Sequence, residues 1–250
     1  MCSIEPYQIE RKLAHLNPHK ACGPDEIPYR FWRDFSAWLA EPLCCIFNCS
    51  LRKGVFPSVW KRANITPVPK VATPVDITKD LRPISLTPTV SKVLESFDGQ
   101  WILDELDGKL DGRQYGALKG ISTTHELVDI LHHWHHAIEN NCAVRAVFLD
   151  YAKAFDHVDH SIVIQKLLDL GVSKVLFRCL CSFLVERKQR VKFSEYITDR
   201  LTLNGCMPQG SYLGPLIFLI LINDLTARCL LHKFVDDTTL TEIIPKDGWF

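Results

Sequence analysis

Residues 146–160 read AVFLDYAKAFDHVDH and residues 232–240 read HKFVDDTTL. These two stretches decide how the rest of the chain is read. In the first, Ala143 to Leu149 is a Val- and Phe-rich run with the composition of a buried β-strand, and it delivers Asp150 at its end. In the second, the β-prone runs Leu230 to Val235 and Thr238 to Ile244 flank Asp236-Asp237, which is a hairpin signal. A desolvated carboxylate at a strand end is costly unless a cation compensates it. Two such carboxylates brought together repel, and a hard divalent ion relieves them. Mg2+ takes one or two carboxylates and completes its shell with substrate phosphate oxygens. Two ions held ~3.5–4 Å apart activate an attacking hydroxyl and stabilise the leaving group in phosphoryl transfer. Asp-Asp is also ordinary turn chemistry, so the pair alone leaves both readings open.

Working outward, residues 160–170 form a predicted helix with Asp159 or Ser161 as cap and Gly171 as stop, and a second helix follows. Two short strands are expected near 190–204, and Leu213 to Leu225 is helical in period. Upstream, one helix is expected over 29–51, its apolar face containing Phe31, Trp32, Phe35, Leu39, Leu43 and Phe47 and its end marked by Gly54. Trp32, Trp38, Trp60, Trp101 and Phe35 read as core residues. Pro67, Pro69, Pro74, Pro83 and Pro88 break residues 61–89 into extended segments and turns. Helical period returns from Thr89 to about Leu110 and again from Thr123 to Asn140. Strands and helices mixed without regular β-α-β-α alternation indicate an α+β fold.

The 250 residues are 47% hydrophobic and 23% charged, enough apolar content for a sizeable core and against wholesale disorder. Lys+Arg and Asp+Glu balance at 29 each. That neutrality argues mildly against a nucleic-acid binder unless charge is segregated locally. The 10 cysteines include no C-x-x-C pair, so they read as small buried hydrophobes in a reducing compartment. Residues 1–15 are polar and charged, unlike a secretory signal. The longest apolar stretch, Leu213 to Ile222, is too short to span a bilayer. An intracellular protein, cytoplasmic or nuclear, is expected. The run His132-His133-Trp134-His135-His136 invites a metal reading, but no third ligand or base accompanies it, so it reads as a partly exposed helical face.

Further stretches give the two aspartate segments their company. LDYAKAFDHVDH resembles the A motif of reverse transcriptases, NGCMPQGSYLGPLIFLILINDL the B motif and KFVDDTTL the C motif, in the family's order. ITPVPK followed by DLRPISLTPTVSKVLE resembles the fingers segment of the non-LTR retrotransposon (LINE-type) enzymes. ACGPDEIPYRF resembles their N-terminal extension, and QYGALKGISTTHELV the segment before motif A. The resemblance runs over roughly residues 10–245.

It implies a right-hand polymerase with interleaved fingers (about 1–125 and 160–204) and palm (about 126–159 and 205–250). Such an enzyme copies an RNA template into DNA from a DNA primer and dNTPs, with Mg2+ or in its place Mn2+, and engages no membrane. Carried over by motif, Asp150 and Asp236 are the main metal ligands, with Asp237 beside them and the Tyr151 carbonyl as a further oxygen. Phe155 takes the place of the bulky side chain that blocks a ribose 2′-OH, which argues against an RNA-making polymerase. Arg82 matches the fingers arginine on the triphosphate, and its planar fork suits that contact. Lys70 matches a second phosphate contact. Gln209 and Gly210 line the nucleotide pocket, the glycine permitting close backbone approach. Asp156, Asp159 and Asp224 read as supporting residues or helix caps.

The sequence departs from the family pattern at Ala117, Leu118 and Ile121, which replace aromatic and basic positions, and at Tyr212 and Val235. It ends at Phe250, before the primer-positioning hairpin and the thumb that the resemblance implies. Little or no processive synthesis by the isolated chain is expected from this, unless a partner chain supplies a thumb. The alternative is a retroelement fragment that folds and binds nucleic acid without turnover.

Overall fold

The computed structural model describes residues 2–246. It has an α+β architecture of two separate sheets set around a shared helical core. The N-terminal helices are α1 (Pro6–Ala14), α2 (Tyr29–Asp34) and α3 (Ser36–Lys53). The single helix expected over 29–51 is thus two, divided at Phe35, which ends α2 and starts α3. The break changes the phase of the apolar face. Phe31 and Phe35 pack on each other at the surface, with ring centroids 4.9 Å apart, and Trp38 is 82% exposed, so Phe35 and Trp38 are not core residues. Trp32, Leu43 and Phe47 are buried, and Trp60 and Trp101 pack partly buried against the core. Gly54 closes α3 in the left-handed conformation, the role its lack of a Cβ allows.

The first sheet contains β1 (Arg62–Pro69), β2 (Leu81–Leu86), β4 (Lys188–Phe193) and the short β5 (Tyr196–Ile197) and β6 (Leu201–Thr202). Its order is β2-β1-β4-β5, with β6 also on β4. Its prolines sit where the ladder needs no N–H. Pro83 is on the edge strand β2, while Pro67 and Pro69 lie beyond Arg62–Ile65, the part of β1 that pairs with β4. The one-turn helix α4 (Ile77–Asp80), capped by Asp76, connects β1 to β2.

The second sheet has the order β3-β8-β7, built from β3 (Ala143–Asp150), β7 (Leu230–Phe234) and β8 (Asp237–Ile244). Its first strand is less buried than its composition suggests: Val147, Phe148 and Leu149 are exposed, Phe148 to 70%. As an edge strand, β3 pairs on one side only. Its Val and Phe content reflects the preference of such side chains for a pleated strand rather than full burial. The helix α6 (Thr123–Glu139) crosses this sheet, with Trp134 Nε1 donating to Thr241 Oγ1.

The core between the sheets is formed by α5 (Thr89–Glu105), α7 (His160–Asp169), α8 (Lys174–Leu184) and α9 (Leu213–Leu221) together with α1 and α3. Helices α5 and α9 both end earlier than the expected residues 110 and 225. As expected, Asp159 caps α7 by accepting from Ser161 N, and Gly171 stops it with φ +68°. At the start of α9 the N-cap residue Tyr212 offers no side-chain cap, but Ser211 Oγ just before it accepts from Gly214 N at 3.0 Å. The buried carboxylate of Glu95, from α5, accepts from Tyr212 N (2.7 Å) and Leu213 N (3.4 Å) and satisfies two of the helix's free donors from outside. No helix among the described residues is long and apolar enough to cross a membrane.

Candidate active site

Strands β7 and β8 are joined by the two-residue turn Val235-Asp236, a connection tight enough to present its second residue at the sheet's end. Val235 has φ +56°, the positive value required at the first position of a II′ hairpin turn and uncommon for a β-branched residue. Asp237 then opens β8 opposite Asp150, the last residue of β3. Directly opposed residues of an antiparallel pair have Cα atoms about 4.5–5.5 Å apart. Three carboxyl groups therefore gather at one end of the sheet. Partial desolvation, then the negative charges of Asp236 and Asp150, hold the Asp237 carboxyl above its ordinary range. Glu126 of α6 is buried beside it. Its carboxyl is likewise raised, by burial first and by Asp237 second.

Asp150 and Asp236 open into a cleft of about 1350 Å³ between the two sheets. Lys70, Arg82, Tyr151, Phe155, Gln209 and Gly210 line the same cleft. Every cleft residue read from the sequence is thus on this surface except Asp237, which lies beside it in the ladder. Arg82 faces Val68 across the β1–β2 ladder and is exposed. The Phe155 ring stacks on Phe218 of α9, centroids 5.2 Å apart, so it is anchored in the core while bordering the cleft. The Tyr151 carbonyl accepts from Ala154 N at 3.2 Å, which leaves one lone pair free.

The Pro208–Gly210 loop is fastened to the first sheet. Ser85 N of β2 donates to the Gln209 carbonyl at 2.7 Å, and Gly210 has φ +121°. A Cβ at Gly210 would stand 2.8 Å from the Ser85 carbonyl oxygen, so the close approach expected of this glycine is to the neighbouring strand.

The hairpin carrying Asp236 is held from behind. The side-chain carbonyl of Gln114, a residue 4% exposed, accepts from Val235 N (3.1 Å) and Gly116 N (2.8 Å). A Cβ at Gly116 would meet Val235 N and Cγ2 at 2.6 Å. Two residues before Val235, in β7, the fully buried Lys233 pairs with Asp111 at 2.7 Å and donates to the carbonyls of Ile222, Asn223 and Leu225. Burial alone would push the Asp111 carboxyl up; Lys233 and the Arg113 N–H outweigh it and hold it low. His232, also fully buried, contacts Asp129 of α6 through Nε2 at 2.8 Å, and Tyr115 donates to the same oxygen at 2.8 Å. That pair of bonds, Tyr115's first, keeps the Asp129 carboxyl below its usual range.

Glu126, Gln114, Lys233 and His232 escape a reading of the sequence, because each acts on a partner remote in the chain. The dipeptide spacing of Gln114 and Gly116 within QYG is the one local signal. Asp224 pairs with Lys166 of α7 and is not among the residues lining the cleft. Of the histidine run, His133 lies 3.8 Å from Asp129.

The donor set at the strand ends fits a hard divalent cation: carboxylate oxygens only, mutually repelling and open to a cleft. Among the described residues no three His, Cys, Asp or Glu side chains converge into a ready cage. A Mg2+ ion that brings substrate phosphate oxygens does not need one.

A family model described as reverse transcriptase (RNA-dependent DNA polymerase) matches residues 68–244. Three curated proteins of Drosophila melanogaster align along nearly the whole chain. The probable RNA-directed DNA polymerase from transposon X-element is 28% identical over 95% of this chain and 27% of its own length. That from transposon BS is 30% identical over 95% and 28%. The RNA-directed DNA polymerase from mobile element jockey is 28% identical over 93% and 27%. The chain thus spans little more than a quarter of these relatives. Among solved structures, apo telomerase from Candida tropicalis, truncated from its C-terminal domain, superposes with a TM-score of 0.50 at 15% identity. The match covers 86% of this chain and 49% of that one, a likeness of fold.

Proposed function

We propose, from the fact that this chain belongs to the reverse transcriptase (RNA-dependent DNA polymerase) family, that its cleft extends a DNA primer on an RNA template by two-metal nucleotidyl transfer from dNTPs. The observation that carries the reading is the meeting of two aspartates distant in the chain with Arg82, Lys70, Phe155 and the Gln209-Gly210 loop around one cleft. The five-stranded sheet and its flanking helices act as fingers. The three-stranded sheet with α9 acts as palm.

Asp150 and Asp236 hold Mg2+, or Mn2+ in its place, with Asp237 and the Tyr151 carbonyl completing the oxygen set. When bound, the ions lower the pKa of the primer hydroxyl and neutralise charge on the transferred phosphate. Arg82 grips the triphosphate through its planar fork and Lys70 adds a point charge. Phe155, fixed by Phe218, stands where a ribose 2′-OH would need room. Gln209 and Gly210 form the floor under the nucleotide, kept in place by Ser85. The chain's contribution is positioning, the main source of rate in phosphoryl transfer. A transposon-borne enzyme of this kind works inside the cell, consistent with ten free thiols.

Primer extension on poly(rA)/oligo(dT) with Mg2+ tests the proposal, with Asp236→Ala as the blank. Short products from the wild type alone are expected. Wild-type products indistinguishable from the blank would overturn catalysis and leave a folded, non-catalytic member of the family.

A further inference from the structure

The chain's charges cancel overall, yet one face of the five-stranded sheet collects cations without carboxylate partners among the described residues. In the parallel β1–β4 pair, Arg62 stands beside Lys188 and Asn64 beside Arg190. Thr202 of β6 stands beside Lys188 on the other side, and continuing that register by one residue puts Arg200 beside Arg190. Side chains alternate along a strand. Ile65 and Val191, which are also register partners, line the cleft, so Arg62, Lys188 and Arg190 point to the opposite face. Arg190 agrees with this, donating from Nε to Asn64 Oδ1 at 3.0 Å.

None of Arg62, Lys188, Arg190 or Arg200 forms an ion pair with a carboxylate among the described residues. The next cation on this face of β4, Lys192, is by contrast matched by Glu26 at 3.3 Å. Arg200 Nη1 is shielded from solvent and has no hydrogen-bond partner. Arg200 is also held below the ordinary arginine range, by burial first and then by Arg190 and Arg62, so the three guanidinium groups feel one another. Clustering like charges is unfavourable for the fold alone, and an anion removes the penalty.

We propose that Arg62, Lys188, Arg190 and Arg200 form a phosphodiester-binding patch on the sheet face turned away from the cleft, where a single-stranded stretch of nucleic acid lies. Three of the four cations are arginines, whose forks suit phosphate oxygens. Lys188 and Arg190, two residues apart on a strand, are separated by about 6.6 Å, which is comparable with the spacing of successive phosphates. The choice of partner rests on the polymerase reading, since a template longer than the cleft must pass over the outside of the protein.

The test is fluorescence anisotropy of fluorescein-labelled oligo(rA) against the full chain over a range of salt. It compares wild type with Arg62→Gln/Lys188→Gln/Arg190→Gln/Arg200→Gln. The variant should bind at least tenfold more weakly. Its plot of log Kobs against log salt should be shallower by about 2–3, at roughly 0.7 for each single-strand phosphate that the variant no longer neutralises. Equal affinity and slope would overturn the proposal, as would tighter wild-type binding to poly-L-glutamate than to oligo(rA) of equal charge. Where losing the Arg190–Asn64 bond unfolds the fourfold variant, Arg62→Glu/Lys188→Glu decides, both residues being exposed and free of side-chain hydrogen bonds. Primer extension separates the two readings. Patch-dependent binding with no extension leaves the patch and removes the polymerase; extension with patch-independent binding does the reverse.

Discussion

Asp237 stands directly opposite Asp150 across the β3–β8 ladder, while Asp236 occupies the tip of the turn beside them. Like charges so placed destabilise a sheet, and this pair is retained at the mouth of a cleft lined by Arg82 and Lys70. The arrangement costs the fold stability, and a cation bound there, as proposed, would recover that energy.

Asp237→Asn should therefore stabilise the protein in EDTA, by about 0.2–1 kcal/mol. It should also reduce the rise in Tm that Mg2+ gives the wild type. Thermal melts of both proteins with and without Mg2+ check this. A variant less stable than wild type in EDTA would show that the three carboxylates do not oppose one another.

The hold on the hairpin yields a second prediction. Gln114→Leu leaves two backbone N–H groups, those of Val235 and Gly116, without their acceptor. Each unmet buried donor costs about 1–3 kcal/mol. Single-nucleotide incorporation should fall about a hundredfold, the cost of a displacement near 1 Å at the reacting groups. Urea denaturation and incorporation kinetics would reveal both. Unchanged kinetics alongside lower stability would confine Gln114 to a role in folding.

The aspartates and the hairpin are legible in the sequence because they are local. A Val- and Phe-rich run ending in Asp150 and two β-prone runs flanking Asp236-Asp237 carry their own signal. The caps at Asp159 and the stops at Gly54 and Gly171 are legible for the same reason. Composition cannot say how many neighbours a strand has, so β3 reads as buried although it is an edge. Period alone does not register a break such as the one at Phe35, and Trp38 is therefore assigned to the core although it is exposed. The fixtures of the site are set by tertiary contacts: Gln114 on Val235, Lys233 on the segment after α9, Ser85 on Gln209. No spacing rule reaches across those separations.

Gly210→Ala tests one of those fixtures. The residue has φ +121°, and a new Cβ would sit 2.8 Å from the Ser85 carbonyl oxygen. Backbone strain of this kind costs about 1–3 kcal/mol, and relief requires the loop to leave β2. A drop in stability accompanied by weaker dNTP binding is expected. A drop in stability with unchanged nucleotide affinity would place the loop outside the nucleotide site.

Arg82→Ala should weaken dNTP binding by the value of a charge-assisted hydrogen bond, about 1.5–3 kcal/mol. Because Arg82 is exposed at the rim of the open cleft, stability should not change. Titration of labelled dNTP in Mg2+ measures the effect. Equal affinities would remove Arg82 from the triphosphate.

The last prediction concerns Asp98, which the cleft does not use. It is buried in α5, one turn from the Glu95 carboxylate that caps α9, and its Oδ1 has no hydrogen-bond partner. Burial, and then the charge of Glu95, push its carboxyl up from 3.8 to about 8. The folded protein thus keeps a proton that the unfolded chain releases once the pH passes its ordinary value. Wherever the folded state holds more protons, stability falls as pH rises. The fall begins near the unfolded value, continues to about pH 8, and stops where both states are ionised. Asp98→Asn is neutral throughout and lacks this component. Relative to the variant, the wild type should lose up to about 1.4 kcal/mol per pH unit inside the window. The two should converge at the acid end. Urea denaturation of both proteins at several pH values between about pH 4 and pH 9 measures the gap. Titrating groups that do not feel the Asp98 charge are common to both proteins and cancel in the difference. Parallel stability curves would mean that Asp98 is ionised in the folded state, with a cationic or water-mediated partner that the packing of α5 against α9 does not supply.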